Sequence, residues 1–270
     1  MIGTRLLGVI LLLVVILPLA IAHDESPRYD DGVKLKNQAM SVIIITSILV
    51  TAVVILAIIS KRRFRNHKKM LFLLMLIPVI IATLYTAGAT IYLNQISVTK
   101  GPVHWHADFE IWNCGEKVDL VDPQGLSNRV GTPVLHEHND FRIHVEGVVV
   151  NFADVSLKNF LNVIGGTLTH DSLGVPTNNG NILLHNGELC KGKSGKVQVF
   201  IYKIVNPKEQ GNWIYTQEKI EDAENYVLSP YSQVPAGDCI IIEFDQEKEK
   251  TDKICTTYQA ALNQGELNGS

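Results

Sequence analysis

The sequence predicts an α+β protein in which a two-helix transmembrane hairpin precedes a β-rich extracytoplasmic domain with one main helix. Three observations carry this. Two uncharged apolar runs, residues 40–60 and 70–93, flank the basic stretch KRRFRNHKK. Beyond residue 93, short segments alternate apolar and polar residues at the two-residue period of strands. One convincing segment there, DVSLKNFLNVIGG, carries apolar residues at helical spacing. Strands, one helix, then strands is an α+β order rather than a doubly wound one. A β-grasp-like sheet packed on that helix is the expected form, with a small barrel or sandwich as the rival.

Residues 1–22 have the form of a secretory signal peptide, with Arg5, an apolar core over 6–17, Pro18 and the small-x-small pattern Ala20-Ile21-Ala22. An uncleaved N-terminal anchor is the alternative, because the run is nearly long enough to span. Residues 23–39 then form a short extracytoplasmic segment. Segments 40–60 and 70–93 each have the length that crosses a bilayer core, and Pro78 and Gly88 are tolerable inside a membrane helix. The crowd of Lys and Arg in the 61–69 loop holds that loop on the cytoplasmic side. Two crossings and a translocated start both leave residues 94–270 outside, so the expected location is the cell membrane, with the lipid bilayer as a partner.

Net charge is only −3, but basic residues bunch at 61–69 and acids concentrate in the exported part. Topology accounts for the basic cluster and no basic face is left over, which excludes nucleic acid as a partner. All four cysteines, Cys114, Cys190, Cys239 and Cys255, lie beyond the hairpin, in an oxidising setting that makes two disulfides the expectation. Three pairings are open and spacing does not choose among them. The favoured set joins Cys239 to Cys255, flanking a short strand and a charged turn, and Cys114 to Cys190.

In the exported domain HADFEIWNCGEKVDL reads as a hairpin turning at 113–116, and FRIHVEGVVVNF as a strand interrupted at Gly147. The helix is capped by Asp154 or Ser156, presents Leu157, Phe160, Leu161 and Ile164 on one stripe, and ends at Gly165-Gly166. NILLHNGEL, KVQVFIYKIV and GDCIIIEF are further strands. From Gln246 the chain reads as a charged turn, then a short helix, then a disordered end.

The stretch HWHADFEIW sends His104, His106, Asp108 and Glu110 to one face of a strand, with Trp105, Ala107, Phe109 and Ile111 on the other. LHEHNDFRIHVEG repeats the spacing at His136 and His138, and His144 points the same way if one strand register runs through the segment. H-x-H on a strand places two imidazoles about 6–7 Å apart on one side, within reach of a shared ion. Two such pairs on neighbouring strands would close a four-coordinate site, with His144 as a fifth ligand or a partner to the ligands. An all-nitrogen site outside the cytoplasm suits a copper or zinc ion better than magnesium or calcium. Asp108, Glu110, Asp140 and Glu146 are candidates to orient the imidazoles.

PVHWHADFEIW followed by LHEHNDFRIHVEG resembles a family of uncharacterised exported or membrane-anchored archaeal and bacterial proteins with an H-x-H-A strand and an L-H-x-H-[DN]…I-H-V-E strand. The likeness covers residues 101–166 and, more loosely, the remainder through VPAGDCIIIEF. Bacterial relatives usually read L-H-T-H-D in the second motif; here Glu137 and Asn139 replace two of those positions while His136 and His138 are kept. The resemblance implies the motif positions and no activity.

HWHADFE also fits the core of a first cupin motif through His104, His106 and Glu110, although PAGDCIII lacks the histidine of a second one. Cleavage after Ala22 would leave His23 first, and an N-terminal histidine can bind copper through amine and imidazole together. His170 and His185 are isolated, and no G-x-S-x-G elbow is present. Three function classes follow. The first is a membrane-anchored protein that holds or transfers copper or zinc, and the second a cupin-like or copper-dependent metalloenzyme. The third is an accessory subunit of a membrane-protein complex.

Overall fold

The computed structural model describes residues 30–60, 65–209, 211–229 and 237–269. The expected signal peptide, His23 and part of the 61–69 loop lie outside them. The chain forms two compact units, Met1–Ile96 and Ser97–Ser270.

In the first unit, helices α1 (Asp30–Ile59) and α2 (Lys68–Ile96) are both long and apolar enough to cross a membrane. Large side chains such as Ile48, Ile58, Phe72 and Leu84 stand exposed along them, which suits a lipid surrounding and not water. Hydroxyls inside α2 are satisfied within the helix: Thr83 and Thr86 donate to the carbonyls of Val79 and Ala82 at 2.8 and 2.9 Å. That is the local bonding an apolar solvent demands.

The second unit begins with strands β1 (Pro102–Asn113), β2 (Glu116–Val118), β3 (Val130–Gly131), β4 (Leu135–Glu137) and β5 (Arg142–Val148). Helix α3 (Leu157–Val163) follows, then β6 (Thr167–Leu168), β7 (Ser172–Thr177), β8 (Gly180–His185), β9 (Leu189–Cys190) and β10 (Lys193–Ser194). The chain ends with β11 (Lys196–Ile204), β12 (Trp213–Lys219), β13 (Asp238–Asp245), helix α4 (Thr256–Asn263) and β14 (Leu267–Gly269). Among the described residues these strands make a nine-stranded mixed sheet in the order β14-β12-β11-β13-β1-β5-β4-β3, with β2 beside β1. The sheet runs from one edge to the other without closing into a barrel. β1 pairs parallel with β13 and antiparallel with β5.

Alternation along β1 decides what each face meets. Ala107, Phe109 and Ile111 join the main core with Ile143, Val145, Leu135 and the α3 residues Leu157, Phe160 and Leu161. Phe109 and Phe160 meet edge to face at 5.1 Å between ring centres, each burial contributing about 1.5–3 kcal/mol. Ser156 caps α3 by accepting from the Asn159 N–H. The opposite face carries a smaller core of Phe200, Tyr202, Cys239, Ile241 and Tyr258 under α4.

The β1–β2 hairpin turns at Cys114 and Gly115, both at positive φ (50° and 81°), the geometry that matches strand twist in a two-residue turn. Disulfides join Cys114 to Cys190 and Cys239 to Cys255, with Cα separations of 5.4 and 5.8 Å. The tail departs from its expected disorder. Leu267 is 1% exposed and β14 pairs parallel with β12, because burial of one leucine beside α4 anchors a segment whose composition reads as loose.

Candidate metal centre

The face of β1 opposite the main core is covered by α4 only up to Asp108 and Glu110. Thr257 of α4 donates to Asp108, and Thr256 donates to Glu110 at 3.2 Å. Further along the same face, where α4 does not reach, five imidazoles line up, four on the three strands β1, β5 and β4 and the fifth, His138, one residue past the end of β4.

Strand order sets their arrangement. β5 lies between β1 and β4, so His144 is the direct cross-strand partner of both His106 and His136, and His104 pairs with Glu146. The expectation that the two H-x-H pairs face each other across adjacent strands is therefore corrected, since a whole strand separates them. The expected continuous register through 135–147 is corrected as well. The chain reverses at 138–141, where Asn139 and Phe141 take positive φ, and His144 reaches the same face through antiparallel pairing.

That turn is held from several sides. The Asn139 side chain donates to Asp122 at 2.8 Å, the Arg142 N–H to Asp140 at 3.2 Å, and the Phe109 N–H to the Phe141 carbonyl at 2.8 Å. On the far side of β4, Gly131 (φ +113°) pairs with His136, and a Cβ there would meet the Leu135 carbonyl at 2.7 Å. Only glycine allows β3 to pack so closely against the strand that bears His136.

Ring centres are 4.5 Å apart for His104 and His106, 4.7 Å for His106 and His144, 5.4 Å for His144 and His136, and 4.8 Å for His136 and His138. Exposure differs along the row: the His104 side chain is 60% exposed and His144 13%, His136 is buried at 1%, and His138 beyond it is half-buried. His106 Nε2, His136 Nδ1 and His144 Nδ1 are buried with no hydrogen-bond partner in the structure. Buried polar atoms are normally paired, and unpaired ring nitrogens on His144 and on its two cross-strand partners are donors suited to a cation. Among the described residues two groups can hold an ion, His104, His106, His144 and Glu146, and His136, His138 and His144.

Electrostatics agree. Burial, then the neighbouring His144 and His104 rings and Arg142, push His106 down to about 4. Burial and the adjacent His138 and His144 lower His136. The His106 ring therefore stays neutral and able to donate a lone pair well below neutral pH, and His136 is shifted in the same direction.

The carboxylates divide. Asp140 Oδ2 lies 3.2 Å from His144 Nε2; burial alone would raise Asp140, but the bond to His144, the charge of that ring and the backbone N–H groups of Arg142 and His138 together outweigh it and hold the acid below its usual value. Glu146 Oε1 lies 3.1 Å from His104 Nε2 and stands within ligand distance itself. Asp108 and Glu110 do not orient imidazoles. Asp108 accepts from Arg142 Nε at 2.6 Å, and Glu110 from Lys117 Nζ at 2.8 Å and Trp112 Nε1 at 3.1 Å. With Glu110 so engaged and the sheet open, the ligand set of a cupin is not assembled.

His170 precedes β7 and His185 ends β8, in the three-stranded sheet β6-β7-β8 and outside both groups. Two residues escaped the sequence reading. Arg142 neutralises buried Asp108 beside His106. Glu137 is buried with Oε1 unpaired, and burial raises it above its usual value; its place between two histidines is the one signal that could have marked it. No family model, curated protein or solved structure matches the chain.

Proposed function

We propose that this chain is a membrane-anchored protein that binds a transition metal, copper or zinc, on its extracytoplasmic side through the His104, His106, His136, His138 and His144 cluster, and that it holds the ion or hands it on. The observation that carries the reading is the set of three buried, unpaired ring nitrogens meeting around His144. An imidazole-rich donor set favours copper and zinc over oxygen-seeking cations. The gradient from buried His136 to exposed His104 supports exchange, because an ion at the open end can trade a ligand with water or an acceptor. Two disulfides support the outward orientation. The likeness of the two histidine motifs to exported archaeal and bacterial proteins belongs to the same reading. So does a β-grasp-like classification, which the central parallel pair β1–β13 and the packing of helix α3 on the main core support.

Elemental analysis tests the proposal. Full-length protein in detergent, stripped with chelator, loaded with Cu(II) or Zn(II) and dialysed, should retain at least about one equivalent. His144→Ala should lose most of it, while His170→Ala and His185→Ala should retain it. Less than about a tenth of an equivalent in the unmodified chain would overturn the reading.

A further inference from the structure

His144 sits in the middle of the imidazole row, and the two groups of candidate ligands, each with atoms within 4.8 Å of one another, share that residue and nothing else. Strand order explains the division. His106 and His136 both face His144 directly, so their backbones are two strand spacings, about 9.5 Å, apart. An ion about 2.0–2.1 Å from each nitrogen gathers donors no more than about 4.2 Å apart. A single ion is poorly placed to take both H-x-H pairs.

We propose that the cluster holds two metal ions, one on each side of His144, with the His144 ring bridging them. This rests on the metal-binding reading above. One ion takes His104, His106, Glu146 and His144 Nδ1; the other takes His136, His138 and His144 Nε2, with Asp140 beside it. The two ring nitrogens already face different partners, Nδ1 lying 4.0 Å from Glu146 Oε1 and Nε2 lying 3.2 Å from Asp140 Oδ2.

The chemistry balances without any redox step. Each ring nitrogen gives one lone pair to one cation. The ring's single N–H bond breaks heterolytically, the proton leaves to solvent with Asp140 as the nearest carboxylate base, and the ring becomes imidazolate. Charge favours this, since two divalent ions stabilise the anionic ring and make the proton easier to lose.

The test uses full-length protein in detergent with His23, His67, His170 and His185 replaced by glutamine, so that only the five clustered histidines remain. Titration with Cu(II) alone should saturate at about two equivalents, and Zn(II) alone likewise. Copper ions joined through an imidazolate couple their spins, so the paramagnetic resonance intensity should fall well below the analytical copper content. H104A/H106A and H136A/H138A should each bind about one equivalent with a full spin count. H144Q should restore a full count for whatever copper it keeps. Each variant is accepted only if it shows no free thiol before reduction.

Saturation at one equivalent, with either pair replacement abolishing it, would overturn the two-ion centre and leave metal binding intact. Two equivalents with an undiminished spin count would overturn the bridge. No bound copper or zinc would overturn both readings together.

Discussion

Replacing His106 by glutamine should make the second unit, Ser97–Ser270, less sensitive to acid in the absence of metal. The ring is half-buried between His104 and His144, and these surroundings depress it from 6.5 to about 4. At about 1.4 kcal/mol per unit, that depression sets a ceiling of about 3.4 kcal/mol. Partial exposure and salt screening bring the expected effect to about 1–2 kcal/mol. The sign follows from proton counting: between pH 6.5 and 4 the unfolded chain binds a proton at this position that the folded chain refuses. The stability held above pH 6.5 is therefore lost as pH falls towards about 4, and levels off below it. His136 is depressed in the same direction, so His106→Gln should flatten the acid loss without removing it. The assay is urea unfolding of residues 97–270 in chelator, followed by tryptophan fluorescence at steps from pH 7.5 to 4. Parallel curves for the two proteins, or a native unit that gains stability on acidification, would refute the reasoning.

Three further outcomes are expected. Arg142→Gln strands the buried Asp108 carboxylate and should cost about 2–3 kcal/mol in urea unfolding, with Asp108→Asn in the same chain recovering part of the loss. Closing 16-residue and 76-residue separations, the two disulfides should contribute about 3 and about 4.5 kcal/mol on the chain-entropy account, so Cys114→Ser/Cys190→Ser is the more damaging double change in thermal unfolding. A reporter fused after Ser270 should be active outside the cytoplasm and one inserted within 61–69 active inside, as the loop's charge requires; the reverse pattern would undo the disulfide expectation.

Properties set by near neighbours were legible without coordinates. Two apolar runs need only composition to be read as spans, and α1 and α2 cover them. The face assignment of His104 and His106 needs only the two-residue strand period, and Ser156 needs only three residues to its C-terminal side to cap α3. Partnering was not legible, because hydrogen bonding between strands joins residues far apart in the chain and leaves no local period. Strand order placed β5 between the two H-x-H strands, and so made His144 the centre of the cluster rather than an accessory. The same long-range packing brought α4 over Asp108 and Glu110, turning two candidate imidazole partners into anchors for Arg142, Lys117, Thr256 and Thr257. Residue types and their faces come from the sequence alone, whereas which faces meet is decided by the burial of the whole sheet.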